Sequence, residues 1–162
     1  MRVGVYAGSF LPFHLGHYDI YNQAKKMFDY VILAIGYNPQ KNNYSATQHE
    51  IPQGAGIQSV AFYKGFLSDF LKDNSKSSDI TLVRGLRNIH DLNAEQNMLA
   101  FVRSMYPELK VVYFLSDPKY QHISSSALRD IRKFSEEEYK KYLVPDKEEK
   151  WFAPAGVERG WL

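Results

Sequence analysis

No cysteine occurs among the 162 residues, which removes disulfides, thiolate metal sites and a cysteine nucleophile from consideration. Neither sign of charge dominates: 20 Lys+Arg against 18 Asp+Glu leave +2 at pH 7, too little for a general nucleic-acid or membrane binder. No apolar run approaches the roughly 18 residues of a membrane-spanning helix. The start, Met1-Arg2-Val3-Gly4-Val5-Tyr6, enters a strand pattern at once, without a signal-peptide layout. Repeats and low-complexity segments are missing, as are the Walker lysine loop, the Gly-x-Gly-x-x-Gly fingerprint and the Gly-x-Ser-x-Gly nucleophile elbow. A soluble cytoplasmic protein is therefore expected, and 44% hydrophobic with 15% aromatic residues describes a globular chain of one-domain length.

Apolar β-branched runs at Val3–Ala7, Tyr30–Gly36, Ile80–Val83 and Val111–Leu115 read as strands. Ser59–Tyr63 is a shorter candidate. Between them lie helical patterns. His17, Ile20, Tyr21, Ala24, Met27 and Phe28 recur at spacings of three and four from Gly16 onward, and Phe66, Leu67, Phe70 and Leu71 mark a short helix. Helices are also expected over Asp91–Tyr106, Ser124–Phe134 and Glu136–Leu143, and a loop over Asn42–Ile57. Alternation of strands and helices predicts a single α/β domain, Rossmann-like and doubly wound, with a mostly parallel sheet. Residues 1–145 form that domain, and 146–162 a tail that packs on it or is exposed. Ligands of such sheets bind beyond the carboxyl ends of the strands, so the polar residues that follow each strand carry the question of function.

After the first strand comes Gly8-Ser9-Phe10-Leu11-Pro12-Phe13-His14-Leu15-Gly16-His17. Gly8 and Gly16 would let the backbone approach a ligand. His14 and His17, three apart, can turn their rings the same way at a helix start whose N–H groups favour phosphate. A packed core histidine is the alternative for His17, and a zinc site lacks a third ligand at sensible spacing. The second strand leads to Lys41, by itself an ordinary solvated charge. The third runs into Arg84-Gly85-Leu86-Arg87, where the guanidiniums suit bidentate phosphate contacts and Gly85 would let them approach each other. Ile123-Ser124-Ser125-Ser126 opens the next helix, as an N-cap or as a hydroxyl and amide cradle for phosphate. The inventory predicts a phosphate-rich ligand and a transfer run by positioning and electrostatics, with no covalent nucleophile.

The segment from Gly8 to His17 resembles the signature of the nucleotidyltransferase superfamily that carries His-x-Gly-His or Thr-x-Gly-His. With Asp29–Ile35, Arg84–Arg87, Tyr106-Pro107-Glu108-Leu109 and Ile123–Ser126 in order, the chain is similar to the phosphopantetheine adenylyltransferase family over roughly residues 1–43 and 80–145. The resemblance implies ATP and 4'-phosphopantetheine joined into dephospho-coenzyme A and pyrophosphate by direct in-line attack, with Mg2+. It assigns His17, Lys41 and Arg87 to catalysis, with His17 stabilising the transition state. ATP would be held by Ser9, Phe10, His14, His17, Gly85, Leu86, Arg87 and Glu95, and by the Tyr120 to Ser126 segment with Ile123, Ser124 and Ser125. The acceptor would be held by Ser9, Lys41, Leu67 and Arg84. No metal ligand from the protein is implied, and the partners would be small molecules within a homohexamer, with neither nucleic acid nor membrane. Glu95 could instead be an interface or capping contact.

His14 stands where the family has Thr, as in nicotinamide mononucleotide adenylyltransferases. Leu11 replaces an Asp, Ala94 a Tyr, and Val102 an Asn that meets the pantetheine arm. These positions keep nicotinamide mononucleotide open as an alternative acceptor, and a non-catalytic nucleotide-binding module as a third reading.

Overall fold

The computed structural model describes residues 1–37, 51–52 and 55–145. Lys41, most of the loop expected after it and the expected tail at 146–162 lie outside the described residues. Five strands, β1 (Arg2–Gly8), β2 (Tyr30–Gly36), β3 (Ser59–Tyr63), β4 (Asp79–Leu86) and β5 (Lys110–Leu115), form one sheet in the order β3-β2-β1-β4-β5. Every pairing is parallel, with Gly4 beside Val31 and Thr81, and Arg84 beside Tyr113. The expected α/β sheet is present, and among the described residues it is wholly rather than mostly parallel.

Alternation along the strands sends side chains to two opposite layers. Tyr6, Val31, Leu33, Ile35 and Val83 pack with Ile20, Tyr21 and Ala24 of α1 (Leu15–Met27). Val3, Val5, Ala7, Ala34, Ile80 and Leu82 pack with Leu71 of α2 (Leu67–Ser75) and Val102 of α3 (Ile89–Met105). Tyr21, Leu33, Leu71 and Leu82 are fully buried, and each such side chain contributes on the order of 1.5–3 kcal/mol of apolar transfer. With helices on both faces, the chain reverses its winding between β1 and β4. That is the switch point where a crevice opens at the strand ends.

Several boundaries differ from expectation for local reasons. β4 continues through Arg84 and Gly85 to Leu86 because these residues pair with Tyr113, Phe114 and Leu115, so both lie within the strand. α3 begins at Ile89 because the Asn88 side chain accepts the His90 and Asp91 N–H groups. α4 (Ser125–Phe134) runs as expected, while α5 (Glu136–Lys140) stops short of Leu143. The chain there turns back so that the Tyr142 carbonyl accepts the Leu15 N–H at 3.0 Å and Leu143 bridges His14. The carboxyl end of the described chain thus braces the turn that carries the two histidines.

Candidate active site

A cleft of about 400 Å³ lies at the switch point, within the size range of small-ligand sites. One wall is the Gly8–His17 turn with the start of α4. The other is the end of β4 with the first turns of α3.

On the first wall Phe10 takes a left-handed backbone (φ 45°) and drops its ring into the core beside Tyr6 and Phe13. The turn then delivers His14 as the N-cap of α1. Its Nδ1 accepts the His17 N–H, and the His17 Nδ1 accepts the His14 N–H, both at 3.4 Å. The rings stack with centroids 3.6 Å apart. A reciprocal cap of this kind places both Nδ1 atoms as acceptors, so each neutral ring carries its proton on Nε2. Burial, with the Arg87 charge second, pushes the His14 pKa down to about 4. His17 is thus a ring in a built stack at the cleft, while His14, only 3% exposed, is the packed histidine.

Across the mouth of this wall, Ser124 caps α4 by accepting the Ala127 N–H at 3.2 Å, and Ser125 donates to the Pro12 carbonyl at 3.2 Å. Ser126 Oγ lies 3.4 Å from Ser124 Oγ. The cap reading thus describes Ser124, and all three serines line the cleft.

The second wall departs from expectation. Arg84 and Arg87 do not stand as two open cations, for each is clasped by a carboxylate of α3. Arg84 donates Nε to Glu95 Oε2 at 2.8 Å and Nη2 to Glu95 Oε1, while Nη1 donates to the Ala7 carbonyl at 2.5 Å. Glu95 is therefore the partner of Arg84. Arg87 donates Nε and Nη2 to Asp91, each at 2.9 Å. Both pairs hold their guanidiniums charged. Gly85 also has a different cause from the one expected. A Cβ there would lie 2.8 Å from Ile20 Cγ1, so the glycine admits α1 against the sheet and does not serve the approach of the arginines. Likewise a Cβ on Gly8 or Gly16 would press on the Phe10 or His14 ring at 2.9 and 3.2 Å; these glycines make room for side chains of the turn itself.

Of the residues predicted from sequence, Ser9, Phe10, His14, His17, Arg84, Gly85, Leu86, Arg87, Glu95, Ile123 and Ser124 to Ser126 all line the one cleft. Tyr120 does not line it. It closes a 3-10 turn, and its carbonyl accepts the Ile123 N–H at 3.0 Å. Leu67 packs in the α2–α3 layer, and Val102 is buried there too. Sequence reasoning passed over Asp91, Ser116 and Arg129, which also line the cleft. Arg129 donates Nη1 to the Leu11 carbonyl at 2.6 Å, and Ser116 Oγ is enclosed without a hydrogen-bond partner. Asp91 could have been found as the i+4 carboxylate to Arg87; nothing in the local pattern pointed to Ser116.

Among the described residues no three His, Asp or Glu side chains gather as a metal cage. The two carboxylates at the cleft are engaged by arginines, and the remaining donors are hydroxyls, amides and cations. Such a set suits phosphate oxygens, and a divalent ion that arrives bound to them.

Comparison with known proteins supplies the family. The cytidylyltransferase-like family matches residues 5–131. A phosphopantetheine adenylyltransferase of Cytophaga hutchinsonii is 34% identical over 142 residues, covering 82% of this chain and 91% of the relative. The chain belongs to the phosphopantetheine adenylyltransferase family. A second such relative, from Alkaliphilus metalliredigens, is 31% identical over 83% of this chain and 87% of its own length. Among solved structures, the bifunctional NMN adenylyltransferase/ADP ribose pyrophosphatase of Francisella tularensis, complexed with AMP and a manganese ion, superposes with a TM-score of 0.61 at 20% identity. That match covers 88% of this chain and 44% of the bifunctional protein. It shows a shared Rossmann-like fold. As a nucleotidyltransferase of this family, the chain brings its signature turn and its Arg84–Arg87 strand end into the lining of one cleft.

Proposed function

We propose that this protein joins ATP and 4'-phosphopantetheine into dephospho-coenzyme A. A phosphate oxygen of the acceptor attacks the α-phosphorus in line; that P–O bond forms as the bond to the β-phosphate oxygen breaks, and pyrophosphate leaves with the electron pair. The observation that carries this reading is the convergence of the His17 ring, the Arg87 guanidinium and the start of α4 on a single cleft, in a chain of this family. Charge accumulates on the α-phosphoryl oxygens in the transition state. His17, donating from Nε2, and Arg87 stabilise it, with Lys41 assigned to the same task.

Ser9, Phe10, His14, Gly85, Leu86, Glu95 and the Ile123–Ser126 segment are assigned to ATP, and Ser9, Lys41 and Arg84 to the acceptor; Tyr120 and Leu67, which lie outside the cleft lining, are assigned to neither. Glu95 holds Arg84 in place, and Arg84 uses the donors that Glu95 and Ala7 leave. Magnesium, carried on the triphosphate, would neutralise the departing pyrophosphate. The catalytic domain is residues 1–145, in a cytoplasmic homohexamer. Exposed Phe101 and Phe134 supply apolar surface for its contacts.

The test is pyrophosphate release from ATP with phosphopantetheine and with nicotinamide mononucleotide in parallel. Release with phosphopantetheine supports the assignment. Release with nicotinamide mononucleotide alone transfers it to the acceptor suggested by His14, and tight ATP binding without release from either leaves a nucleotide-binding module.

A further inference from the structure

We infer that Asp91 is a positioning residue: it locks the Arg87 guanidinium side-on and so presents the opposite edge to the phosphates of the nucleotide. The inference rests on the adenylyl-transfer reading for the identity of that ligand. Asp91 Oδ2 accepts both the backbone N–H and the Nε of Arg87, each at 2.9 Å, and Oδ1 accepts Nη2 at 2.9 Å. One oxygen that takes the backbone N–H and the Nε of the same residue closes a ring through the arginine side chain. That ring removes much of the rotamer freedom that a free arginine side chain keeps.

The carboxylate is itself anchored. Asp91 is the third residue of α3, its N–H donates to the Asn88 cap at 3.1 Å, and its side chain is 21% exposed. A pair through Nε and Nη2 occupies the side-on edge of the guanidinium. The end-on edge, Nη1 with Nη2, is left with a long 3.4 Å contact from Nη1 to the Ile123 carbonyl. Ile123 immediately precedes the Ser124 cap, so this edge lies at the start of α4, where helix-end amides favour an anion.

Coulomb attraction and positioning predict opposite results. By charge alone, deleting a carboxylate beside a phosphate site strengthens nucleotide binding. If Asp91 acts by aiming Arg87, deleting it weakens binding, and only while Arg87 is present. Calorimetric titration with ATP of the full chain and of Asp91→Ala, Arg87→Ala and the double variant reads this directly. The expected result is a loss of about tenfold for Asp91→Ala, no further loss when it is added to Arg87→Ala, and an intermediate loss for the isosteric Asp91→Asn. Unchanged or tighter ATP binding by Asp91→Ala overturns the inference, as does an equal loss in both backgrounds. Should Asp91→Ala fail to fold, the same cycle is run with Asp91→Asn. The titration contains no acceptor, so a wild-type chain that binds ATP yet releases no pyrophosphate overturns the proposed reaction and leaves this cycle to decide on Asp91.

Discussion

The wall made by the first turn and α4 holds its donors through backbone: a reciprocal histidine cap, a stacked ring pair and a serine cap. The wall made by β4 and α3 holds its donors through charge, with Glu95 on Arg84 and Asp91 on Arg87. The first arrangement orients neutral N–H groups with little electrostatic cost. The second brings two cations to a partly enclosed site and offsets their desolvation with two anions, so that the four charges sum to zero before a nucleotide arrives. A binding site can therefore be preorganised by capping geometry or by ion pairing, and the two should respond differently to mutation and to pH.

The contrast breaks most severely at Arg84. Its pair is well shielded, with side-chain exposures of 22% and 13%, so Arg84→Ala strands Glu95. The expected loss is about 3–5 kcal/mol of stability, together with a higher KM for the acceptor phosphate and little change for ATP. Urea unfolding and steady-state kinetics check it, and a change confined to ATP affinity removes the acceptor role. On the capped wall, His17→Ala should leave folding nearly intact and lower kcat by about 10²–10³ with little change in ATP affinity. An unchanged kcat would reduce His17 to a packing ring.

pH sharpens the comparison next. The folded-state pKa of His14 is near 4, below the unfolded value of about 6.5. Between these values the unfolded chain binds a proton that the folded chain refuses. The stability from neutral His14 is complete above about pH 6.5 and is lost as pH falls toward 4, on the order of 3 kcal/mol in all. Thermal unfolding followed from pH 7 to 4 should show this slope. His14→Asn, which keeps an N-cap acceptor, should flatten it, and an equally steep slope in that variant assigns the effect elsewhere. The smallest expected effect concerns the seam between α1 and the sheet. Gly85→Ala meets Ile20 Cγ1 and should cost about 1–3 kcal/mol. Most of that cost should vanish when Ile20→Ala is already present, as a double-mutant cycle of unfolding free energies would show.

Much of this molecule can be read from the amino-acid order. The runs at Val3–Ala7 and Ile80–Val83 become adjacent parallel strands, and the spacing from His17 to Ala24 becomes the buried face of α1. The convergence of His17, Arg87 and Ser124–Ser126 also follows from strand ends in a parallel sheet. Less legible were the partners. Glu95 on a helical stripe gave no sign that it would meet Arg84, eleven residues earlier and at the end of a strand. Nor did Arg84 disclose its bond to the Ala7 carbonyl, 77 residues away.

Sequence alone thus determined the class of fold and the chemical types that gather at the strand ends, because periodicity and motif are local properties of the chain. Tertiary structure decided which cation is clasped by which anion, why Gly85 must lack a side chain, and how the Tyr142–Leu143 segment braces the histidine turn. Those outcomes depend on strand register and on helix-to-sheet distances of a few ångströms, set only when the two layers close on the sheet.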